Sequence, residues 1–264
     1  MSVAVRWLAK VALHFRACVR QRSLQPADVA MGAGPFHVRL GTAKAKLVGA
    51  QAISGAREIW VRRVYLGGDF LRIKDGDTVV DLGCNMGNFS MLALGHGPRV
   101  RVVAVEADPL MCEKWRHSVA ANEWQDRAQL FNAFIGGDSN IQPGLKDRRA
   151  RTISEQELID HAGISRIDFL KVDIEGSEFD LLTRDSRLLA MTDQLAIELH
   201  TQVGDVPAFL RTLEELGFEL GPAKIDPGTH IQQARRRSPA VRDPEPLIVH
   251  VEQLAPKHGI APRV

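Results

Sequence analysis

A chain of 264 residues with 45% hydrophobic and 25% charged side chains has ordinary globular composition. It is long enough to bury a self-sufficient core, which excludes wholesale disorder, a collagen-like fibre and a disulfide-stapled miniprotein. Lys and Arg number 34 against 32 Asp and Glu, a formal charge of +2, well short of the basic excess of most nucleic-acid binders, so no nucleic-acid partner is expected.

Cys18, Cys84 and Cys112 are odd in number and lack CxxC spacing. They read as free thiols in a reducing compartment, with neither a disulfide framework nor a zinc site. No apolar run approaches the ~20 residues that cross a bilayer. The opening stretch, Met1 to Arg20, sets Val3, Trp7, Val11, Leu13, Phe15 and Cys18 at helical spacing between Arg6, Lys10, His14 and Arg16. That interrupted pattern is not a secretory signal, and the expected localisation is cytoplasmic. A helix packed on the main body is favoured over one lying on an anionic membrane surface, though peripheral membrane contact stays open.

From Pro26 to Ile73 helical periodicity fades. His37 to Leu40 and Glu58 to Val61 alternate as short strands do, and a helix is expected around Gly67 to Leu71. Residues 1–72 therefore read as an N-terminal helix and cap, and residues 73–264 as the main domain. There, Thr78 to Leu82, Arg99 to Val105, Gln129 to Phe134, Ile167 to Val172, Leu195 to Leu199, Phe218 to Leu220 and Pro246 to Val251 read as strands. Helices are expected at Phe89 to Leu94, Pro109 to Asn122, Ser154 to Ala162, Glu178 to Arg184 and Val206 to Glu215. Ser154 with Glu157 has capping-box spacing. Strands alternating with helices require crossovers, hence an α/β fold with a mostly parallel sheet covered by helices on both faces. The basic run Arg235-Arg236-Arg237, with Arg242, reads as a solvated loop; contact with an acidic acceptor is the alternative.

In such a sheet ligands bind beyond the carboxyl ends of the strands. After the first strand, Gly83 and Gly87 allow a tight turn and close backbone approach. Glu106 ends the second strand 19 residues past Gly87, where a carboxylate in such folds holds a ribose diol. A dinucleotide fingerprint is incomplete, because Asn85 and Asn88 stand where its later glycines belong. Asp81 favours an ammonium over a diphosphate, which suits S-adenosylmethionine better than NAD. The fourth strand exits through Asp173 and Glu175, and the fifth ends with Glu198 and His200, bringing acids and an imidazole to one rim.

The two runs Val79-Val80-Asp81-Leu82-Gly83-Cys84-Asn85-Met86-Gly87-Asn88-Phe89 and Leu170-Lys171-Val172-Asp173-Ile174-Glu175-Gly176-Ser177-Glu178 together resemble the FkbM family of S-adenosylmethionine-dependent methyltransferases, over about Tyr65 to His200. The resemblance implies a class I methyltransferase (Rossmann-like) fold of seven strands with the last antiparallel. It implies O-methylation of a hydroxyl on a sugar, glycolipid or natural-product scaffold. Asp81, Gly83, Cys84, Asn85, Gly87 and Asn88 would then line the methionine end of the cofactor. Glu106 and Ala107 would meet the ribose, Asn132 or Ala133 the adenine, and Asp173 and Glu175 the methyl group and acceptor. Asp173 and His200 are the candidate bases, with Glu175 or Glu198 orienting. No metal is expected, although Asp173, Glu198 and His200 offer an alternative ion-assisted scheme. A non-catalytic protein that keeps the pocket and an NAD-dependent oxidoreductase are the rival readings.

Overall fold

The computed structural model describes residues 16–21, 23–50, 52–136 and 151–238. The cap opens with helical residues 16–21 and α1 (Gln25–Met31), followed by the hairpin β1 (Phe36–Leu40) and β2 (Ala43–Leu47) and by α2 (Ala52–Ala56). Residues 1–15 of the expected first helix lie outside the described residues. The main sheet follows. Its strands are β3 (Thr78–Leu82), β4 (Arg101–Glu106), β5 (Ala128–Ile135), β6 (Arg151–Ile153), β7 (Ile167–Val172), β8 (Thr192–His200), β9 (Phe218–Asp226) and β10 (Thr229–Arg236). They lie in the order β6-β5-β4-β3-β7-β8-β10-β9. Strands β3 to β8 pair in parallel, while β10 runs antiparallel to both β8 and β9. This is the α/β architecture of class I methyltransferases, with eight strands instead of seven because the short β6 is added.

Period-two alternation divides the core. Val79, Val102, Ala104 and Phe169 face one side, covered by the cap, α3 (Asn88–Leu94) and α4 (Pro109–Ala121). Val80, Val103, Val105 and Leu170 face the other, covered by α5 (Glu155–Ala162), α6 (Glu178–Leu181), α7 (Arg187–Ala190) and α8 (Val206–Glu215). Buried on both faces, these strands are continuous apolar runs, as parallel strands must be. The expected caps form: Asp108 accepts from the Leu110 amide at 2.9 Å, and Ser154 and Glu157 make a reciprocal capping box.

Of the segments that differ from the sequence reading, three show the physical cause directly. Glu58 to Val61 is not a strand; residues Arg57–Val61 continue α2 as one π-helical turn, with the adjacent Ile59 and Trp60 both buried. A strand would have turned them to opposite faces. Around Gly67 to Leu71 only a short 3₁₀ turn, Gly67–Asp69, forms, because Gly68 and Asp69 take left-handed φ values of 76° and 58°. Of the supposed basic loop, Arg235 and Arg236 belong to β10, whereas Arg242 lies outside the described residues. A bulge between Gln232 and Ala234 breaks the alternation of β10, hiding the strand from a period-two reading. Arg235 pairs with Glu219, and Arg236 donates to the carbonyls of Thr192, Leu216 and Leu189. Pro246 to Val251, expected as the last strand, lies outside the described residues; β10 occupies the antiparallel place beside β8.

Candidate active site

The chain runs outward from β3 through β4, β5 and β6, then returns to place β7 on the other side of β3. The crevice where the loops after β3 and β7 part is the topological switch point. Gly83 and Cys84 donate to the Val105 carbonyl at 2.9 and 3.0 Å, tying the glycine loop to the end of β4. Gly83 has φ 70°, and a Cβ there would stand 1.6 Å from the Asp173 carbonyl oxygen, so the two loops touch where no side chain fits. Asn85 is also left-handed, at φ 51°; its Oδ1 accepts from the Met86 amide at 2.7 Å. Gly87 opens α3, and a Cβ on it would meet the Trp115 ring at 2.5 Å.

Two adjoining cavities share Gly83, Asn85, Met111 and Asp173. The first, about 270 Å³, is walled by Glu106, Ala107, Ala133, Phe134 and Ile135. Glu106 Oε2 accepts from the Asn85 amide and Oε1 from the Asp108 amide, each at 2.8 Å. Burial raises its pKa, against the pull of those two amides. The second cavity, about 540 Å³, extends from Cys84 and Asn88 towards the cap, where Tyr65, Glu58 and the bidentate Asp28–Arg57 pair line it.

Beneath the shared wall lies a charged cluster. The Lys171 ammonium is 4% exposed. It donates to the Gly83 carbonyl at 2.8 Å and lies 3.4 Å from Asp81 and 3.8 Å from Asp173. Burial alone would lower its pKa; the two aspartates reverse that and raise it. Asp81 also accepts from Ser90 Oγ at 2.6 Å, and Ser90 in turn accepts from Trp115 Nε1 at 3.0 Å. Tyr65 Oη stands 3.2 Å from Asp173 Oδ2 and 3.0 Å from Glu198 Oε2. Burial and the neighbouring Asp173 push Glu198 up to about 7. His200 Nδ1 lies 3.0 Å from Glu178 Oε1, and its Nε2 is 3.6 Å from Glu175 Oε2. Burial would lower the His200 pKa, but Glu178 and the surrounding carboxylates outweigh it and leave it raised.

The expected residues therefore divide. Gly83, Asn85, Glu106, Ala107, Ala133, Asp173 and Glu175 line the first cavity, and Cys84 and Asn88 line the second. Asp81 does not line either; it is fully buried below the loop, paired with Lys171 and Ser90. Asn132 stands behind the wall, its Nδ2 donating to the carbonyls of Glu106 and Ala107 at 2.9 and 3.0 Å. His200 is 6% exposed and clamped between carboxylates. With a raised pKa it is a charge partner more than a free base. Among the described residues Asp173, Glu178 and His200 bring one ligand-capable atom each within 4.8 Å of one another. Glu178 Oε1 is engaged by the amides of Ile174 and Gly176 and by His200, whereas its Oε2 is buried with no hydrogen-bond partner. Sequence reasoning missed Tyr65, Lys171 and Glu178. A charged residue inside the apolar run Phe169 to Val172 was a signal for Lys171; Tyr65 lies 108 residues from Asp173 and carried none.

A glycine loop crossing under a strand-end acid, at the switch point of a parallel sheet with an antiparallel edge, defines a class I methyltransferase. The methyltransferase FkbM domain matches residues 81–220. The chain belongs to that family, and its cofactor is S-adenosylmethionine. It is 25% identical over 224 residues to the AMB antimetabolite synthetase AmbE of Pseudomonas aeruginosa, a match covering 62% of this chain and only 10% of that protein. It is 23% identical over 207 residues to Methyltransferase 1 of Beauveria bassiana, covering 64% of this chain and 82% of that protein. Among solved structures, the Methanococcus jannaschii fibrillarin pre-rRNA processing protein aligns with a TM-score of 0.49 at 12% identity, covering 76% and 82% of the two chains.

The residues present fit the cofactor. Asn88 Oδ1 is buried beside the glycine loop with no hydrogen-bond partner, an acceptor suited to an ammonium. Glu106 reaches the first cavity with a carboxylate able to accept from a diol, and Ala107, Ala133, Phe134 and Ile135 offer an apolar seat for a base.

Proposed function

We propose that this chain transfers the methyl group of S-adenosylmethionine to a hydroxyl oxygen of a small-molecule or glycan acceptor. The observation that carries this reading is the position of Asp173: it lines both cavities and holds its carboxylate beside Lys171 and Tyr65. Bound S-adenosylmethionine supplies a methyl carbon already activated by its sulfonium, so the protein's task is placement and proton removal. Glu106 would hold the ribose hydroxyls, the Gly83 turn would bring the backbone close, and Asn88 would receive the ammonium. An alcohol must lose its proton as its oxygen reacts, and Asp173 is the carboxylate that faces that space. The cap side of the second cavity, with Glu58, Ser54 and Arg57, selects the acceptor.

Calorimetric titration with S-adenosylmethionine tests the cofactor half: tight binding by the wild type, weakened at least ~10-fold in Glu106→Ala, the loss of about 1.4 kcal/mol or more that two charge-assisted hydrogen bonds account for. Incubation of a metabolite extract with methyl-labelled cofactor, followed by mass spectrometry, identifies the acceptor. With that acceptor, Asp173→Asn lowers turnover ~10²-fold or more while cofactor affinity changes less than threefold. Failure of the wild type to bind S-adenosylmethionine defeats the reading outright, and binding without transfer leaves the non-catalytic alternative.

A further inference from the structure

Among the described residues the cap brings the Tyr65 hydroxyl within hydrogen-bond distance of the carboxylate cluster, and the ring's environment fixes it there. Tyr65 is the single tyrosine of the chain. Its ring is buried edge-on against Phe89, 5.8 Å between centroids, with the Lys171 ammonium 5.5 Å over its face. Held there, Oη lies 3.0 Å from Glu198 and 3.2 Å from Asp173. A phenol has one proton and can donate it to only one of them. The second approach is a hydrogen bond only when the other carboxyl carries a proton and the phenol accepts it.

We propose that Tyr65 is a positioning residue that joins Asp173 to Glu198 in a two-bond proton path, along which the acceptor's proton leaves the reacting space. The proton taken by the ionised Asp173 passes to Tyr65 Oη as the phenol gives its own proton to the ionised Glu198. One Asp173 O–H bond breaks, one Glu198 O–H bond forms, the tyrosine ends as it began, and Asp173 is restored as an anion. Glu198 is suited to be the terminus: it lines neither cavity. Among the described residues the groups that act on it are Asp173 from the end of β7, Tyr65 and Glu58 from the cap and His200 from its own strand. Its neighbour across β10, Ile231, carries no charge. Burial and Asp173 bring its titration to about 7, where it exchanges a proton with solvent near neutral pH. Tyr65 itself is held protonated, because burial and the two carboxylates push its pKa well above 10.

This inference rests on the methyltransferase reading, yet its test needs neither cofactor nor acceptor. Because the chain has one tyrosine, labelling tyrosine with ¹³C at the hydroxyl-bearing carbon gives a single resonance for the full-length protein. Between pH 5 and 9 that resonance should shift with a midpoint near 7 as Glu198 gains or loses its proton. Glu198→Gln, nearly isosteric, should flatten the titration, and His200→Gln should keep a midpoint. A resonance that does not move in the wild type, or one whose midpoint survives in Glu198→Gln, overturns the proposal. Cofactor binding, measured separately, judges the methyltransferase reading whichever way the resonance behaves.

Discussion

Gly83 sits where the backbone leaving β3 passes the backbone leaving β7, with its φ at 70° and the Asp173 carbonyl in the place of a side chain. Both conditions demand glycine, and they act where the loop after β3 meets the loop after β7. Gly83→Ala loses about 1–2 kcal/mol from the left-handed backbone alone. The 1.6 Å overlap with backbone oxygen adds to this, because no flexible side-chain tip is available to yield. The expected result is a cofactor affinity reduced ~10-fold or more, together with a lowered melting temperature, measured by calorimetry and thermal denaturation. An Asp81 that pairs with buried Lys171 shows the same economy: the strand-end acid anticipated as a cofactor ligand instead neutralises the cation that supports the loop from below.

At the level of elements, the hairpin is fastened to α4 by side chains. Asn122, just past the end of that helix, accepts from the Lys46 amide at 2.8 Å and donates to the Lys46 carbonyl at 2.7 Å. Ser118 Oγ accepts from the Val48 amide at 2.9 Å. An asparagine thereby takes the place of a neighbouring strand for one residue of β2. Asn122→Ala removes both bonds at once, a cost of about 1–3 kcal/mol, which for a chain of this size lowers the melting temperature by roughly 2–10 °C; an unchanged melting temperature contradicts the fastening. Elements with local start signals were readable from sequence. Pro109 with Asp108 and the Ser154–Glu157 box each announce a helix, and β3 and β7 are apolar runs bounded by turns. Others had no local signal. The bulged, glutamine-rich β10 buries its polar side chains by hydrogen bonding Gln232 to the carbonyls of Gly221 and Gln233. The π-turn at Arg57–Val61 is set by tertiary packing of Ile59 and Trp60, which overrides their β propensity.

Across the whole molecule, the active site is where contributions far apart in sequence converge, and legibility fell with separation. Glu106, Asp173 and the glycine loop each lie at a strand end and could be placed by motif and spacing. Tyr65 lies 133 residues from Glu198, so no window along the chain contains their meeting. That meeting also leaves a mark on global stability. The folded pKa of Glu198, about 7, lies above its ordinary 4.5, so the folded state holds this proton more tightly than the unfolded chain. The resulting stability is complete below about pH 4.5 and is lost as the pH rises through 7. Solvent on its half-open side limits the effect to on the order of 1 kcal/mol. Glu198→Gln should therefore gain about 2–4 °C in melting temperature on the wild type between pH 5 and pH 8. An equal difference at both pH values refutes the linkage.

Trp60 hangs its indole nitrogen on the Asn88 carbonyl, 3.1 Å away, in the first turn after the glycine loop. On the proposed function, the acceptor's wall and the donor's seat are thus two halves of one joint. Transplanting a whole cap from a homologue to retarget the enzyme carries away one half and misaligns the methyl group unless the matching turn travels with it. Engineers seeking new acceptors do better to edit the exposed rim at Ser54 and Glu58, which can be repainted without unhinging the door.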